Sequence, residues 1–283
     1  MKPILTTGDS PSPLPDGRGS TLIALLLTTA VCAFGQQPRI QNAKLDTRAA
    51  TPTLESAFRA IVQAQTEPAW IGYSIPRASR QNSGDESSWG CSLEDGRSMI
   101  VRDVNTPVPL EGPTMLLVLF RVAEQKVQRV RMLAPDCLLD AGGLPFTWFN
   151  NVRPAESVAL FESLVKDQVG NAIYAIAMTK DPAADAALIR LVDPSQPENV
   201  RRSATSWVGT DTLLNLLKND SSERIREQAV SVLVRRKEPQ AIPAVIRVAR
   251  EDKSAKVRKQ AMNALARSKD PAALRFFEDV LVK

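Results

Sequence analysis

The chain has 283 residues, is 43% hydrophobic and 24% charged, and carries a net charge of +5. That is enough chain for a sizeable core in one or two domains, and a charge too mild to imply a polyanion partner. It contains no histidine and three cysteines, which excludes Ser–His–Asp and Cys–His catalysis, His-ligated zinc and a Cys₄ site.

The first 35 residues read as a secretory signal. "TLIALLLTTAVCAFGQQ" is an apolar run of about 14 residues, short for a membrane span, which needs about 20. Ala33 and Gly35 sit at the −3 and −1 positions of a small-residue cleavage site, leaving Gln36 first in the mature chain. Two other readings stand beside this one: a buried core helix, and a lipoprotein signal at Cys32, where the bulky Val31 precedes the cysteine. Removal of a signal takes Cys32 with it and leaves Cys91 and Cys137 in an oxidising compartment, periplasmic or extracellular. A disulfide between them is expected. The alternative is two reduced, separately buried thiols, and a Cα separation within about 7 Å decides.

Residues 36–52 read as a polar linker, and 53–150 as a small mixed α+β module. "TPTLESAFRAIVQAQ" gives one helix, with Thr53 placed to cap it and Leu54, Phe58, Ile61 and Val62 on one face. Short runs bounded by turn residues follow. "WIGYSI" and "RSMIVRDV" are strands, and "RQNSGDESS" between them is a loop. "TMLLVLFRVAEQKVQRVRML" is a hairpin turning through Ala123–Lys126. Its first strand is apolar throughout and so central. Its second interleaves Arg129 and Arg131, as a strand with one wet face would. "DCLLDAGGLP" is a turn and "FTWFN" a last aromatic segment. Trp70, Trp89, Trp148 and Phe149 read as core more readily than as pocket lining.

Residues 154–283 are helical and repetitive. Aligned at an offset of 32, 220–242 and 252–274 share ten of 23 positions, including Asp220/Asp252, Ser222/Ser254, Arg226/Arg258, Gln228/Gln260, Ala229/Ala261, Leu233/Leu265 and Pro239/Pro271. Weaker copies lie at 171–184 and 200–209, and the uneven spacing suggests a shortened helix near 210–218. Within one unit, Pro239 starts a helix whose apolar face is Ala241, Ile242, Val245, Ile246 and Ala249. Ser254 caps the next, and Val257, Ala261, Ala264 and Leu265 face back. One such pair cannot bury its own apolar stripe, so stacking follows; a period near 30 residues built of two helices marks an α-solenoid.

These residues resemble HEAT repeats, above all in the D-x₅-R spacing of Asp220 to Arg226 and Asp252 to Arg258. The resemblance implies an all-α HEAT-like solenoid after the α+β module, in four helix pairs (roughly 154–180, 181–209, 210–236 and 239–268) plus a terminal helix. It also implies that Asp220, Arg226, Asp252 and Arg258 form a structural ladder between neighbouring repeats. The Val200 copy keeps Arg201 without an aspartate at the matching place. The whole arrangement looks like exported bacterial HEAT-repeat proteins.

Residues 220–269 hold 13 Lys and Arg against six Asp and Glu but no Phe, Tyr or Trp, so a solvated helix face fits better than a nucleic-acid groove. Ser163-Leu-Val-Lys166 matches S-x-x-K without its partner motifs. Asp136 and Asp140 read as turn chemistry around Gly142 and Gly143. No Gly-rich phosphate loop or calcium loop occurs, so neither cofactor nor metal is expected. The functional expectation is a non-catalytic scaffold of the cell envelope or exterior. It would bind a protein or peptide through Arg224, Glu227 and Ser231, then Lys256, Lys259 and Asn263. The alternative is an envelope enzyme with a carboxylate or lysine site at the junction of module and repeats; a junction filled by apolar side chains would count against it.

Overall fold

The computed structural model describes residues 38–79, 91–94 and 114–281. The expected signal segment, the strand at 97–104, the loop at 80–88 and Trp89 lie outside the described residues.

The first described part is a mixed sheet with one helix. Its elements are β1 (Ile40–Gln41), β2 (Lys44–Ala49), α1 (Leu54–Ala64), β3 (Ala69–Pro76), β4 (Met115–Ala123), β5 (Lys126–Leu133), β6 (Leu139–Asp140) and β7 (Pro145–Asn150). The main sheet runs in the order β2-β7-β3-β4-β5; β3, β4 and β5 pair antiparallel, while β7 pairs parallel with both β2 and β3. The strands β1 and β6 form a small parallel pair of their own.

Within the stretch expected as a linker, 36–52, the described residues carry two strands, β1 and β2. The strand β2 reads Lys-Leu-Asp-Thr-Arg-Ala, exposed throughout, and its backbone bonds to β7 at the sheet edge. A strand with no buried face has no apolar alternation to show in the sequence, and its edge charges discourage further pairing.

The apolar run of β4 has its explanation in burial on both faces. On one, Leu116, Val118, Phe120 and Val122 join the core shared with α1; on the other, Leu117 and Leu119 pack with Trp70, Phe146 and Trp148. Gly72 sits where three side chains close in: a Cβ there would lie 2.8 Å from Leu119, 3.0 Å from Trp148 and 3.1 Å from Phe146. The hairpin turns on Glu124 and Gln125, both left-handed, and their amides donate to Thr66 and Gln65 just past α1. Thr53 caps α1 as expected, accepting from the Ser56 amide at 3.2 Å.

Nine helices follow among the described residues: α2 (Pro154–Lys166), α3 (Ala172–Met178), α4 (Pro182–Leu191), α5 (Glu198–Thr205), α6 (Thr210–Asn219), α7 (Glu223–Leu233), α8 (Ala241–Glu251), α9 (Ala255–Ala266) and α10 (Pro271–Leu281). Consecutive helices pack as pairs, and the pairs touch through like members: α5 against α7, α7 against α9, α2 against α4, α6 against α8. That is the contact pattern of a helical repeat. Two local expectations need correction. The shortened helices are α3 and α5, of seven and eight residues, whereas α6 has ten. Pro239 lies in the turn ahead of α8, which begins at Ala241; Pro182 and Pro271 do stand at the first turn of their helices.

The sheet and the helices share one apolar core. Phe120 of β4 meets Phe58 of α1 at 4.7 Å and Phe161 of α2 at 5.5 Å between ring centres. Beyond the end of β3, the Ala78 amide bonds to the Met178 carbonyl and the Lys180 amide returns to the Pro76 carbonyl.

Candidate functional site

Buried arginines bond across neighbouring helix pairs. Each one does two things: it bonds backward to a backbone carbonyl of the turn that opens its own helix, and forward to the aspartate of the next pair. Arg226 donates to the carbonyls of Asp220 (2.9 Å) and Ser221 (3.2 Å), and to both Asp252 oxygens at 2.9 and 3.0 Å. Arg201 donates to the Val192 carbonyl at 3.0 Å and to the carboxylate of Asp220. Arg258 keeps the backward half, bonding to the Asp252 carbonyl at 2.6 Å. Only 2% of the Arg226 side chain and 6% of that of Asp252 is exposed.

Burial pushes the Asp252 carboxyl up, but the bonds from Arg226 and from the Ser254 amide outweigh it and hold it below the ordinary carboxylate value. Each ladder aspartate also closes a turn, since the amides of Ser222 and Ser254 donate to Asp220 and Asp252. The hydroxyls of the same serines then cap α7 and α9.

The structure places Asp220, Arg226 and Asp252 in one ladder, with Arg258 at its far end, and extends that ladder to Arg201. In the Val200 copy the turn aspartate is Asp193, eight residues before Arg201 instead of six; it accepts from the Ser195 amide at 2.9 Å. A turn longer by two residues hides this match from a fixed-spacing alignment. A second set of rungs went unread in the sequence. Gln228 donates to Ser206 and Gln260 to Ser231, each at 2.9 Å. The glutamines stand at matching positions, as do the serines at an offset of 25, so the signal was present as paired recurrences.

The six expected surface residues lie on α7 and α9, and they are less free than expected. Arg224 reaches back to Glu198 at 2.9 Å, and Lys256 to Glu227 at 3.3 Å. Ser231 is half-buried, donating to the Glu227 carbonyl and accepting from Gln260. Lys259 and Asn263 are exposed. Asn263 stands one repeat on from Ser231, where the glutamine rung has no further member among the described residues.

In the sheet region Cys91 and Cys137 lie at disulfide distance, with Cα atoms 5.5 Å apart. Segment 91–94 lies against β6, its Leu93 amide bonding to the Asp140 carbonyl. Arg131 is not on a wet face: it is buried and donates to the Ser92 carbonyl at 2.6 Å. Next to it, Glu94 accepts from Trp70 at 2.8 Å and from Arg121 at 3.0 Å. Burial raises the Glu94 carboxyl, yet these two donors leave it below its ordinary value. Trp70, Trp148 and Phe149 are core. Asp140 accepts from the Gly142 amide, and Gly142 and Gly143 take positive φ, as turn chemistry requires.

The junction of sheet and helices is filled by apolar side chains, with the Tyr73 hydroxyl bonded to Ser157 at 2.9 Å inside it. Ser163 donates to the Leu160 carbonyl and accepts from Arg59, with Asp167 on the same arginine; Lys166 is exposed. That arrangement pairs no nucleophile with a base. Among the described residues no group of three or more acidic or cysteine side chains could hold a metal, and no helix is long and apolar enough to cross a membrane.

Residues 210–283, from α6 to the end of the chain, match the family model for HEAT repeats. No curated protein matches the chain.

Proposed function

We propose that this protein is a non-catalytic interaction scaffold of the cell envelope or exterior, binding a protein or peptide partner across the exposed side of α7 and α9 in a HEAT-like solenoid. The observation that carries this reading is the buried ladder from Arg201 through Asp220 and Arg226 to Asp252, whose part from Asp220 onward lies in the stretch, 210–283, that matches HEAT repeats. HEAT repeats commonly mediate protein–protein interaction and are generally non-enzymatic. A buried ion pair contributes little net stability compared with apolar packing, and the role we assign to the ladder here is to fix register. Fixed register sets the spacing of the side chains that each repeat presents. Lys256, Lys259 and Asn263 on α9, with Arg224 and Glu227 on α7, are the side chains so presented.

Export is supported by the apolar run ending in Ala33 and Gly35, and by the Cys91–Cys137 pair. The junction offers an enzyme little, because its core is apolar.

The test is crosslinking and affinity capture from the native envelope fraction. It compares the wild-type chain with a variant carrying Arg224→Glu, Lys256→Glu and Lys259→Glu. One protein, captured by the wild type and lost by the variant at unchanged thermal stability, is the expected result. Equal capture by both proteins, or turnover of a substrate by the pure chain, would overturn the reading.

A further inference from the structure

A second surface lies on the first-helix side of the array. α7 packs closely on α9, where Ala229 and Ala261 are fully buried, while α6 and α8 touch less. The gap between α6 and α8 is an open groove of about 610 Å³. Its floor is apolar, made by Leu214, Leu217, Ala244 and Val248. It reaches from Gln240 ahead of α8 to Lys253 beyond its end, roughly 20 Å at helical rise. That length suits about six residues of extended chain.

The charge along it is one-sided. Asp220 and Asp252 border the groove, but both are spent on ladder arginines. What remains is Lys218, Arg247 and Lys253, all exposed and with no ion pair among the described residues, against Glu251 alone. An apolar channel under a cationic rim is complementary to an apolar side chain flanked by carboxylates.

We propose that the α6–α8 groove binds a short acidic peptide segment of a protein partner, seated by one or two apolar side chains on the Leu217–Val248 floor and held by Lys218, Arg247 and Lys253. This site lies apart from the α7–α9 side and does not depend on it. A nucleic acid fits less well, because the groove has no aromatic side chain on which a base could stack.

The experiment is selection of a random dodecapeptide display library on the intact chain. Enriched peptides are then synthesised with a fluorophore and titrated by anisotropy. The expected peptides join Leu, Ile or Phe to two or more Asp or Glu. Their affinity should fall at least about tenfold with Arg247→Glu plus Lys253→Glu, and severalfold as salt rises from 50 to 500 mM. Ala244→Trp, which fills the floor, is a second and uncharged probe, and circular dichroism with thermal melting verifies that each variant folds. Arg224→Glu should leave the affinity unchanged, which separates this site from the α7–α9 surface. Four results would each overturn the proposal: no enrichment, enrichment of basic or wholly apolar peptides, binding indifferent to the groove variants, or occupation of the groove by a single-stranded oligonucleotide or by a second copy of the chain in sedimentation.

Discussion

Replacing Arg226 with Met tests the ladder where it is most complete. The guanidinium makes four hydrogen bonds, two to Asp252 and two to the carbonyls of Asp220 and Ser221, with 2% of the side chain exposed. Methionine fills much of the volume but leaves the Asp252 carboxylate buried without its counter-charge. Breaking a buried pair from one side costs about 3–5 kcal/mol, which in a chain of this size lowers the melting temperature by roughly 6–20 °C. The pH dependence carries a sign. The folded-state pKa of Asp252 is depressed, so its contribution is present above the ordinary Asp value of about 4 and is lost as pH falls through the folded value. In the variant the Arg226 contribution is gone and burial is opposed only by the Ser254 amide and Lys253, so the Asp252 pKa rises relative to wild type and acid narrows the gap between the two proteins. Urea denaturation should therefore show a large gap between wild type and Arg226→Met at pH 7 and a smaller one near pH 3. Adding Asp252→Leu should recover part of the loss, because no lone charge then stays buried. A single variant within 0.5 kcal/mol of wild type, or a gap that is the same at both pH values, would refute the ladder as described.

Other consequences are local. Reduction of Cys91–Cys137, which closes a segment with a sequence separation of 46, should destabilise the chain by about 4 kcal/mol in urea melts with and without dithiothreitol. Gly72→Ala should cost about 1–3 kcal/mol, since the new methyl meets Leu119, Trp148 and Phe146 at 2.8–3.1 Å in a packed layer; thermal melting reads it directly. Burial drives the Tyr73 hydroxyl well above the ordinary tyrosine value, with the Ser157 bond opposing. A raised folded value means that the stability gained is whole below pH 10 and is lost as pH rises toward it. Ultraviolet titration should thus find Tyr73 ionising only together with alkaline unfolding.

The helical half was the more legible part because its physics repeats. Ser222 and Ser254 cap, Ala229 and Ala261 pack, and Asp220, Arg226 and Asp252 bond across pairs, so each assignment in one copy is checked by the other. Asp193 escaped because its turn is longer by two residues. The Gln–Ser rungs escaped because a recurring glutamine on a helix says nothing of its partner until the helices are stacked. In the sheet region, β2 was missed because an edge strand exposed throughout is held by backbone bonds alone. Arg131 was misplaced because its cover, segment 91–94, reaches it across a separation of 39 residues. The α6–α8 groove could not be read at all. It depends on how far apart two first helices stand, which no single helix encodes.

Hydrogen exchange of the captured complex against the free chain is the most direct measurement of the central claim. Added protection in α7 and α9, weakened by the Arg224, Lys256 and Lys259 reversals, is the predicted result. Protection confined to β2–β7, or none anywhere in the helices, would contradict it.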